Sequence, residues 1–189
     1  MSTPPYLEIR ADYDERTIVV YQAYRPEIAE AAVAAQLFVP PFSLGRMTWI
    51  KPSFLWMMER CGWATKPGQE HVLAVRITRV GWEEALASAR LSEKGASGAP
   101  VVVQWDPERS VRGGKLAHRS IQVGLGRRIV QRYVDDWTVE IRDLTPLVGR
   151  LRRFREEREW SRVTPLLPPE RPYPVPPPSR QRLGMPEET

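Results

Sequence analysis

The densest cluster of aromatic and basic side chains in this chain lies within residues 42–69. Three of the seven tryptophans fall there, together with the polar residues Arg46, Lys51, Ser53 and Arg60. A surface loop rarely carries so much aromatic area, and a plain core element rarely carries so many cations. The stretch therefore indicates one wall of a cleft.

The same stretch predicts a short helix with a definite start and end. Pro52 suits the first turn of a helix, where a missing N–H removes no hydrogen bond. Gly62 occupies the place where a left-handed cap commonly ends a helix. The spacing between these points predicts a helix over residues 52–61. Its buried stripe is predicted to contain Phe54, Leu55, Met58 and Cys61, which leaves Trp56 and Trp63 nearer a boundary.

The cations around this helix allow two interpretations. In the functional one, Arg46, Lys51 and Ser53 point into a pocket walled by indole rings and bind an anionic ligand. In the structural one, the tryptophans belong to the core, the cations extend along apolar surface to reach water, and Ser53 caps the helix. The residues alone leave both interpretations open.

Length and composition predict one domain over residues 1–163 and a proline-rich tail over residues 164–189. The chain has 189 residues and a formal charge of +5, and nine of the last 26 residues are proline. Such a tail is expected to be extended or disordered. A single cysteine excludes an internal disulfide framework, and neither a signal peptide nor a membrane span is visible. These features predict a cytoplasmic protein.

No motif in the sequence specifies a reaction. There is no phosphate-binding glycine loop and no nucleophile elbow. The two histidines, His71 and His118, are far apart, so no metal site is predicted.

The pattern of elements predicts an α+β domain. Strands are expected at 6–10, 17–24, 44–50, 71–79, 101–105, 120–125 and 137–142, and helices at 26–38, 52–61, 82–90, 126–136 and 145–160. This order is neither a regular βαβ alternation nor all-β, so mixed or mostly antiparallel sheets flanked by helices are expected. Arg25 falls at a corner between a strand and a helix, where it either binds a ligand or pairs with a nearby surface group.

The strongest electrostatic feature is residues 109–132, which contain seven Lys and Arg residues and no acidic residue. This charge predicts a nucleic-acid partner contacted by Arg119, Arg127, Arg128 and Arg132. Within the segment, Gln122 shares a predicted strand face with Ser120 and Gly124. That face either opens on a site that a ligand approaches closely or is a polar, solvated face of the sheet.

Several segments resemble a known family. VVYQAYRPEIAEAAV, RMTWIKPSFLWMM, GWATKPGQE and RSIQVGL followed by YVDDW are similar to the family described as domain of unknown function 4291. The resemblance spans nearly all of residues 6–160. The name of this family implies no activity.

At the level of fold, the layout also resembles the ADP-ribosyltransferase superfamily, which binds NAD in a cleft between two small sheets. The resemblance implies that Arg25 is the first-strand residue, that Thr48 or Ser53 holds the hydroxyl position, and that Gln122 stands where many members have glutamate. A glutamine can hold a ribose hydroxyl but cannot act as a carboxylate base, so this position departs from the superfamily pattern.

Two functions follow as hypotheses. The first is a transferase that cleaves NAD and passes ADP-ribose to an acceptor, with nucleic acid as one candidate. In this hypothesis Arg25 and Lys51 hold the pyrophosphate, Trp49 or Trp56 stacks on a ring, and Gln122 orients the ribose. The second is a non-catalytic module that binds RNA or DNA through the arginines and tryptophans.

Overall fold

The computed structural model describes residues 4–92 and 98–186, which form an α+β domain. The strands are β1 (Arg10–Ala11), β2 (Thr17–Tyr24), β3 (Thr48–Ile50), β4 (His71–Thr78), β5 (Ala89–Leu91), β6 (Val101–Arg109), β7 (Lys115–Leu125), β8 (Thr138–Asp143) and β9 (Arg171–Pro172). The helices are α1 (Pro26–Ala35), α2 (Phe54–Cys61), α3 (Arg79–Ser88), α4 (Arg127–Arg132), α5 (Thr145–Glu156), α6 (Trp160–Val163) and α7 (Pro177–Arg182). A π-helical turn, Tyr133–Trp137, follows α4, and a 3-10 turn, Thr164–Leu166, follows α6.

The strands form three sheets. β2, β4 and β8 make an antiparallel sheet in the order β2-β4-β8. The second sheet has the order β3-β7-β6-β5, and β5 is parallel to β6 while the other pairs are antiparallel. β1 and β9 form a small antiparallel pair. A single bridge between Tyr21 and Lys51 connects the edges of the two larger sheets. The prediction of mixed and antiparallel sheets in one α+β domain is confirmed.

Alternation along β2 and β4 divides the interior into two cores. In β2, Ile18 and Val20 belong to the larger core, while Val19 and Tyr21 face the smaller one. β4 alternates in the same way, because successive side chains in a strand point to opposite faces. The three-stranded sheet is thus buried on both faces. The smaller core is closed by residues of α2 and α5, including Phe54 and Phe154.

The proline-rich tail packs against the domain. β9 pairs with β1, and the Tyr173 N–H donates to the Ile9 carbonyl at 2.8 Å. The Glu170 carboxylate accepts a 2.7 Å hydrogen bond from the Phe54 N–H, in the first turn of α2. The tail also places Tyr173, Val175, Leu183 and Met185 in the larger core. Of the two expectations for the tail, extended or disordered, neither describes this packed arrangement, in which the tail lies against the domain up to residue 186.

The elements differ from the sequence predictions mainly at their ends. The strand predicted at 44–50 is reduced to its last three residues, and the strand predicted at 6–10 is represented by β1 and a bridge between Leu7 and Arg119. The strand predicted at 101–105 is longer in the structure, because β6 continues through Asp106-Pro107 to Arg109. Pro107 is tolerated there because the strand register shifts just beyond it. The loop predicted at 92–100 lies partly outside the described residues.

No helix in the described part of the chain is both long and apolar enough to cross a lipid bilayer.

Candidate functional site

A cavity of about 690 Å³ lies between the two larger sheets. One wall is the end of β2 and the corner that follows it, residues 22–25. The opposite wall comes from β3, β6 and β7, and side chains of α2 and of the 41–47 loop complete the lining. The bridge between Tyr21 and Lys51 holds the two walls together at one side. The cavity is therefore framed by regular structure on both sides.

Six of the eight residues predicted to bind a cofactor or to act on it line this cavity. They are Arg25, Arg46, Thr48, Trp49, Lys51 and Gln122. The structure thus brings together residues from a strand corner, a loop, a short edge strand and a long central strand. Arg25, Lys51 and Gln122 line one cavity together with the indole ring of Trp49.

The other two predicted residues, Ser53 and Trp56, have structural roles. The Ser53 side chain is the N-cap of α2, where its Oγ accepts a 3.2 Å hydrogen bond from the Trp56 N–H. Trp56 is buried rather than at a boundary, and the Arg109 guanidinium lies 5.8 Å from the centre of its ring. Neither residue is among those that line the cavity. For these two residues the structural interpretation is the better one.

Lys51 is the most unusual residue of the site. It is only 4% exposed, and no hydrogen bond or ion pair joins its ammonium to any residue in the described ranges. Burial, together with the nearby Arg60 guanidinium, lowers the pKa of this ammonium to about 8, while Asp106 acts in the opposite direction. Buried cations are normally paired, because removing a charge from water is costly. Lys51 is therefore a cation that an anionic ligand would stabilise.

The charges around Lys51 are of one sign. Arg25, Arg46 and Arg60 also line the cavity, and the described lining contains no aspartate or glutamate. Arg25 is the only one of these arginines with an ion pair among the described residues, a 3.5 Å contact between two exposed side chains, Arg25 and Glu27. Such exposed pairs contribute little and are readily exchanged. The lining therefore favours an anion.

Asp106 does not line the cavity, but it fixes two glutamine side chains that do. Gln122 Nε2 donates to one of its carboxylate oxygens at 2.6 Å, and Gln104 Nε2 donates to the other at 3.0 Å. Gln104 and Gln122 are direct partners across β6 and β7, and both line the cavity. Because a carboxylate only accepts hydrogen bonds, Asp106 determines which end of each amide is the donor. The Oε1 oxygens of both glutamines remain acceptors for ligand hydroxyls.

A second polar network supports the β2 side of the cavity. Buried Gln22 accepts a 2.6 Å hydrogen bond from the Tyr133 hydroxyl and donates to the Tyr24 hydroxyl at 2.7 Å. Burial raises the pKa of the Tyr24 hydroxyl well above its usual range, while a hydrogen bond with Thr48 opposes the shift. Burial also raises the pKa of Tyr133. These hydroxyls therefore stay protonated at neutral pH and orient Gln22.

The Trp49 side chain packs against Gly124, its direct partner across β3 and β7. A Cβ atom at position 124 would lie 3.0 Å from the indole of Trp49 and 3.0 Å from the Met47 sulfur. The sequence suggested that the missing side chain at Gly124 lets a ligand approach. The structure corrects this interpretation, because the space is filled by Trp49 and Met47.

The four arginines predicted to contact nucleic acid do not form one surface. Arg119 donates to the Trp105 carbonyl at 3.0 Å and to the Tyr6 hydroxyl. Arg132 is paired with Glu84 and Asp136, and its guanidinium lies 5.9 Å from the ring centre of Trp137. Arg127 and Arg128 instead line a separate groove next to the cavity. The structure therefore separates these four side chains into three locations.

Sequence reasoning missed several residues that line the cavity or are hydrogen-bonded to its lining. Asp106 was overlooked because Asp-Pro is a common turn signal. Gln104 and Asp106 are two residues apart, so they share one face of a strand. This spacing would have indicated the pair if the strand had been predicted to continue past residue 105. The missed lining residues also include Gln22 and Tyr24. The sequence indicated only that these two residues belong to a strand.

In a comparison with protein-family models, residues 8–173 match the model described as Domain of unknown function (DUF4291). The match covers most of the 189 residues and extends into the tail as far as Tyr173. Comparison with curated proteins found no match.

Proposed function

The chain belongs to the DUF4291 family, and we propose that it binds NAD in the cavity between its two larger sheets and transfers ADP-ribose to an acceptor. The observation that carries the proposal is Lys51, a buried cation with no partner among the described residues, in a cavity whose described lining holds three arginines and no carboxylate. The cavity volume of about 690 Å³ falls within the range of about 300–1,000 Å³ that is usual for small-molecule and cofactor sites.

The lining offers one group for each part of the dinucleotide. Lys51 and the arginines supply charge-assisted hydrogen bonds for the pyrophosphate. Trp49 is half-buried and supplies a flat apolar face for a ring. The Oε1 atoms of Gln104 and Gln122 accept hydrogen bonds from ribose hydroxyls, because Asp106 occupies their donor groups.

In the proposed reaction, the bond between the ribose C1′ atom and the nicotinamide nitrogen breaks, and its electron pair leaves with nicotinamide. The acceptor forms a new bond to C1′ and loses a proton to water. Gln122 has no charge, but Asp106 lies one hydrogen bond behind it. That contact polarises the amide and makes its oxygen a better partner for the positive charge that develops on the ribose. The Gln122–Asp106 pair thus supplies part of the electrostatic stabilisation that a glutamate would give to the positively charged ribose.

Nicotinamide release from NAD is the direct test of this function, with oligonucleotides and proteins supplied in turn as acceptors. Release that depends on the pure protein is the expected result. The alternative hypothesis, a non-catalytic module that binds RNA or DNA, stays a prediction. It would be favoured if nucleic acid bound and no nicotinamide appeared with any acceptor.

Replacing Gln122 with alanine should reduce turnover by about one to three orders of magnitude, the range for losing a transition-state hydrogen bond. NAD affinity should change much less, since the phosphates are held elsewhere in the cavity. The measurements are nicotinamide release and equilibrium binding. Gln181→Ala, at an exposed position in α7, is the matched control and should leave both values unchanged.

A double variant tests whether Asp106 acts through Gln122. Asp106→Asn alone should also lower turnover, because an asparagine no longer fixes both glutamine amides as donors. Added to Gln122→Ala, it should cost little more, since residues that act as a unit are not additive. Fully additive losses would contradict the role of Asp106 as a positioning residue.

A further inference from the structure

A second groove, of about 990 Å³, adjoins the cavity. Arg46 and Met47 line both spaces, so the groove and the cavity are neighbours at these two residues. Arg127 and Arg128, in the first turn of α4, form the other side of the groove. Among its described lining residues there is no aspartate or glutamate. The groove therefore extends the positive lining of the cavity outward.

The three guanidinium groups of the groove are available for a ligand. Arg46, Arg127 and Arg128 are exposed, and none of them has a hydrogen bond or ion pair with another side chain in residues 4–92 and 98–186. They differ in this respect from Arg119 and Arg132, which are held by contacts within the domain. The basic segment identified in the sequence thus contributes only two of its arginines to this groove.

Backbone rather than side chains forms part of the groove floor. Gly45, Gly98 and Gly126 all line it. The Gly126 N–H donates to the Pro100 carbonyl at 2.9 Å, and a Cβ atom at position 126 would lie 2.9 Å from that same oxygen. Any larger residue would push the two segments apart. The Gly126 and Pro100 segments therefore lie closer together than a side chain at position 126 would allow.

We propose that this groove binds the phosphate backbone of a single-stranded nucleic acid that serves as the ADP-ribose acceptor, an inference that rests on the proposed function. Guanidinium groups bind phosphates through paired hydrogen bonds, and three of them along one groove suit consecutive phosphates. Arg127 and Arg128 lie outside the cavity proposed for the dinucleotide, so these two arginines add phosphate sites that NAD does not need. A single strand, unlike a duplex, can direct an unpaired base or chain end past Arg46 into the cavity, where Trp49 lies.

The test is binding of a labelled 12-nucleotide single strand, as RNA and as DNA of the same sequence, measured by fluorescence anisotropy over a range of salt concentrations. The variant Arg127→Ala/Arg128→Ala should bind at least tenfold more weakly than wild type at low salt. Its slope of log affinity against log salt should be smaller in magnitude by about 1.4, since each phosphate contact on a single strand contributes about 0.7. A duplex of the same sequence should bind at least tenfold more weakly than the single strand.

The matched control is Arg16→Ala/Arg150→Ala, which removes the same charge at two exposed positions outside both spaces. It should keep most of the affinity and the slope. Equal losses in both double variants, equal binding of duplex and single strand, or no binding by wild type would each overturn the proposal.

Nicotinamide release without nucleic acid separates this inference from the proposed function. Arg127→Ala/Arg128→Ala should leave release to water unchanged and should lose only transfer to the oligonucleotide. If wild type binds the single strand through these arginines and never cleaves NAD, the groove is supported and the transferase is rejected. If NAD is cleaved and transferred equally well by the variant, the transferase is supported and the groove as acceptor site is rejected.

Discussion

Replacing Lys51 with methionine should weaken NAD binding by about ten- to a hundredfold without lowering the melting temperature. The loss reflects a charge-assisted hydrogen bond to phosphate, worth about 1.5–3 kcal/mol. Stability should hold or rise because Lys51 is 4% exposed and its ammonium has no partner among the described residues. Methionine fills a similar volume without a charge that must be desolvated. Calorimetric titration and thermal unfolding measure the two effects.

Lys115→Met is the matched control, because Lys115 is exposed and lies outside the cavity. It should change neither NAD affinity nor stability. Two results for Lys51→Met would contradict the account. Unchanged affinity would mean that Lys51 does not contact the ligand, and a melting temperature lower by many degrees would mean that its side chain holds the fold together.

The Lys51 substitution should also change how stability depends on pH. In the folded protein the pKa of Lys51 is lowered from 10.5 to about 8. Between these two values the unfolded chain holds a proton that the folded chain has released, so wild-type stability rises with pH across that window. Below pH 8 the full destabilisation by the buried charge is present. The difference in stability between Lys51→Met and wild type should therefore be largest below pH 8 and should shrink towards pH 10.

Replacing Tyr173 with alanine should destabilise the domain by about 3–5 kcal/mol, the usual cost of removing a large buried aromatic ring. Tyr173 is 4% exposed, and its hydroxyl donates to Glu83 at 2.6 Å and accepts from Arg79 at 3.1 Å. Its ring also makes edge contacts with Tyr13 and Trp82. For a chain of this size, the melting temperature should fall by roughly 10 °C.

Tyr6→Ala is the control for this substitution, since Tyr6 is 59% exposed. It should lower the melting temperature by at most a few degrees. If Tyr173→Ala were equally mild, the tail would be a dispensable covering. The structural account of the tail as part of the core would then be wrong.

The sequence was most informative where local chemistry decides the structure. The α2 helix begins at the Ser53 cap and ends at Gly62 in the left-handed conformation, with φ +59°, because each residue suits that backbone geometry. β2 coincides with the predicted strand at 17–24 because β-branched and aromatic residues fill it. The same local signals place Arg25 after β2 and Lys51 before α2, so much of the cavity lining was predictable.

Long-range packing decided the features that the sequence did not predict. Asp106-Pro107 is a turn signal in isolation, yet pairing with β7 keeps this segment in a strand and brings Asp106 to Gln122. The alternation pattern placed Trp56 at a boundary, but α2 is buried on most sides between the smaller core and β6. The prolines of the tail suggested disorder. The spacing of these prolines does not indicate that Tyr173 packs in the core. Nor does it indicate the hydrogen bond between Tyr173 and Glu83, which lies 90 residues earlier in the chain.

The most direct test of the central claim, that Lys51 anchors an anionic dinucleotide in the cavity, is NAD affinity measured by calorimetry at pH 7 and at pH 9.5. Wild type should bind NAD at pH 7 and lose at least threefold in affinity at pH 9.5, since free Lys51 releases its proton near pH 8. Lys51→Arg, which stays charged at both pH values, should show no such loss. Absence of NAD binding at pH 7, or an equal pH dependence in both proteins, would contradict the account.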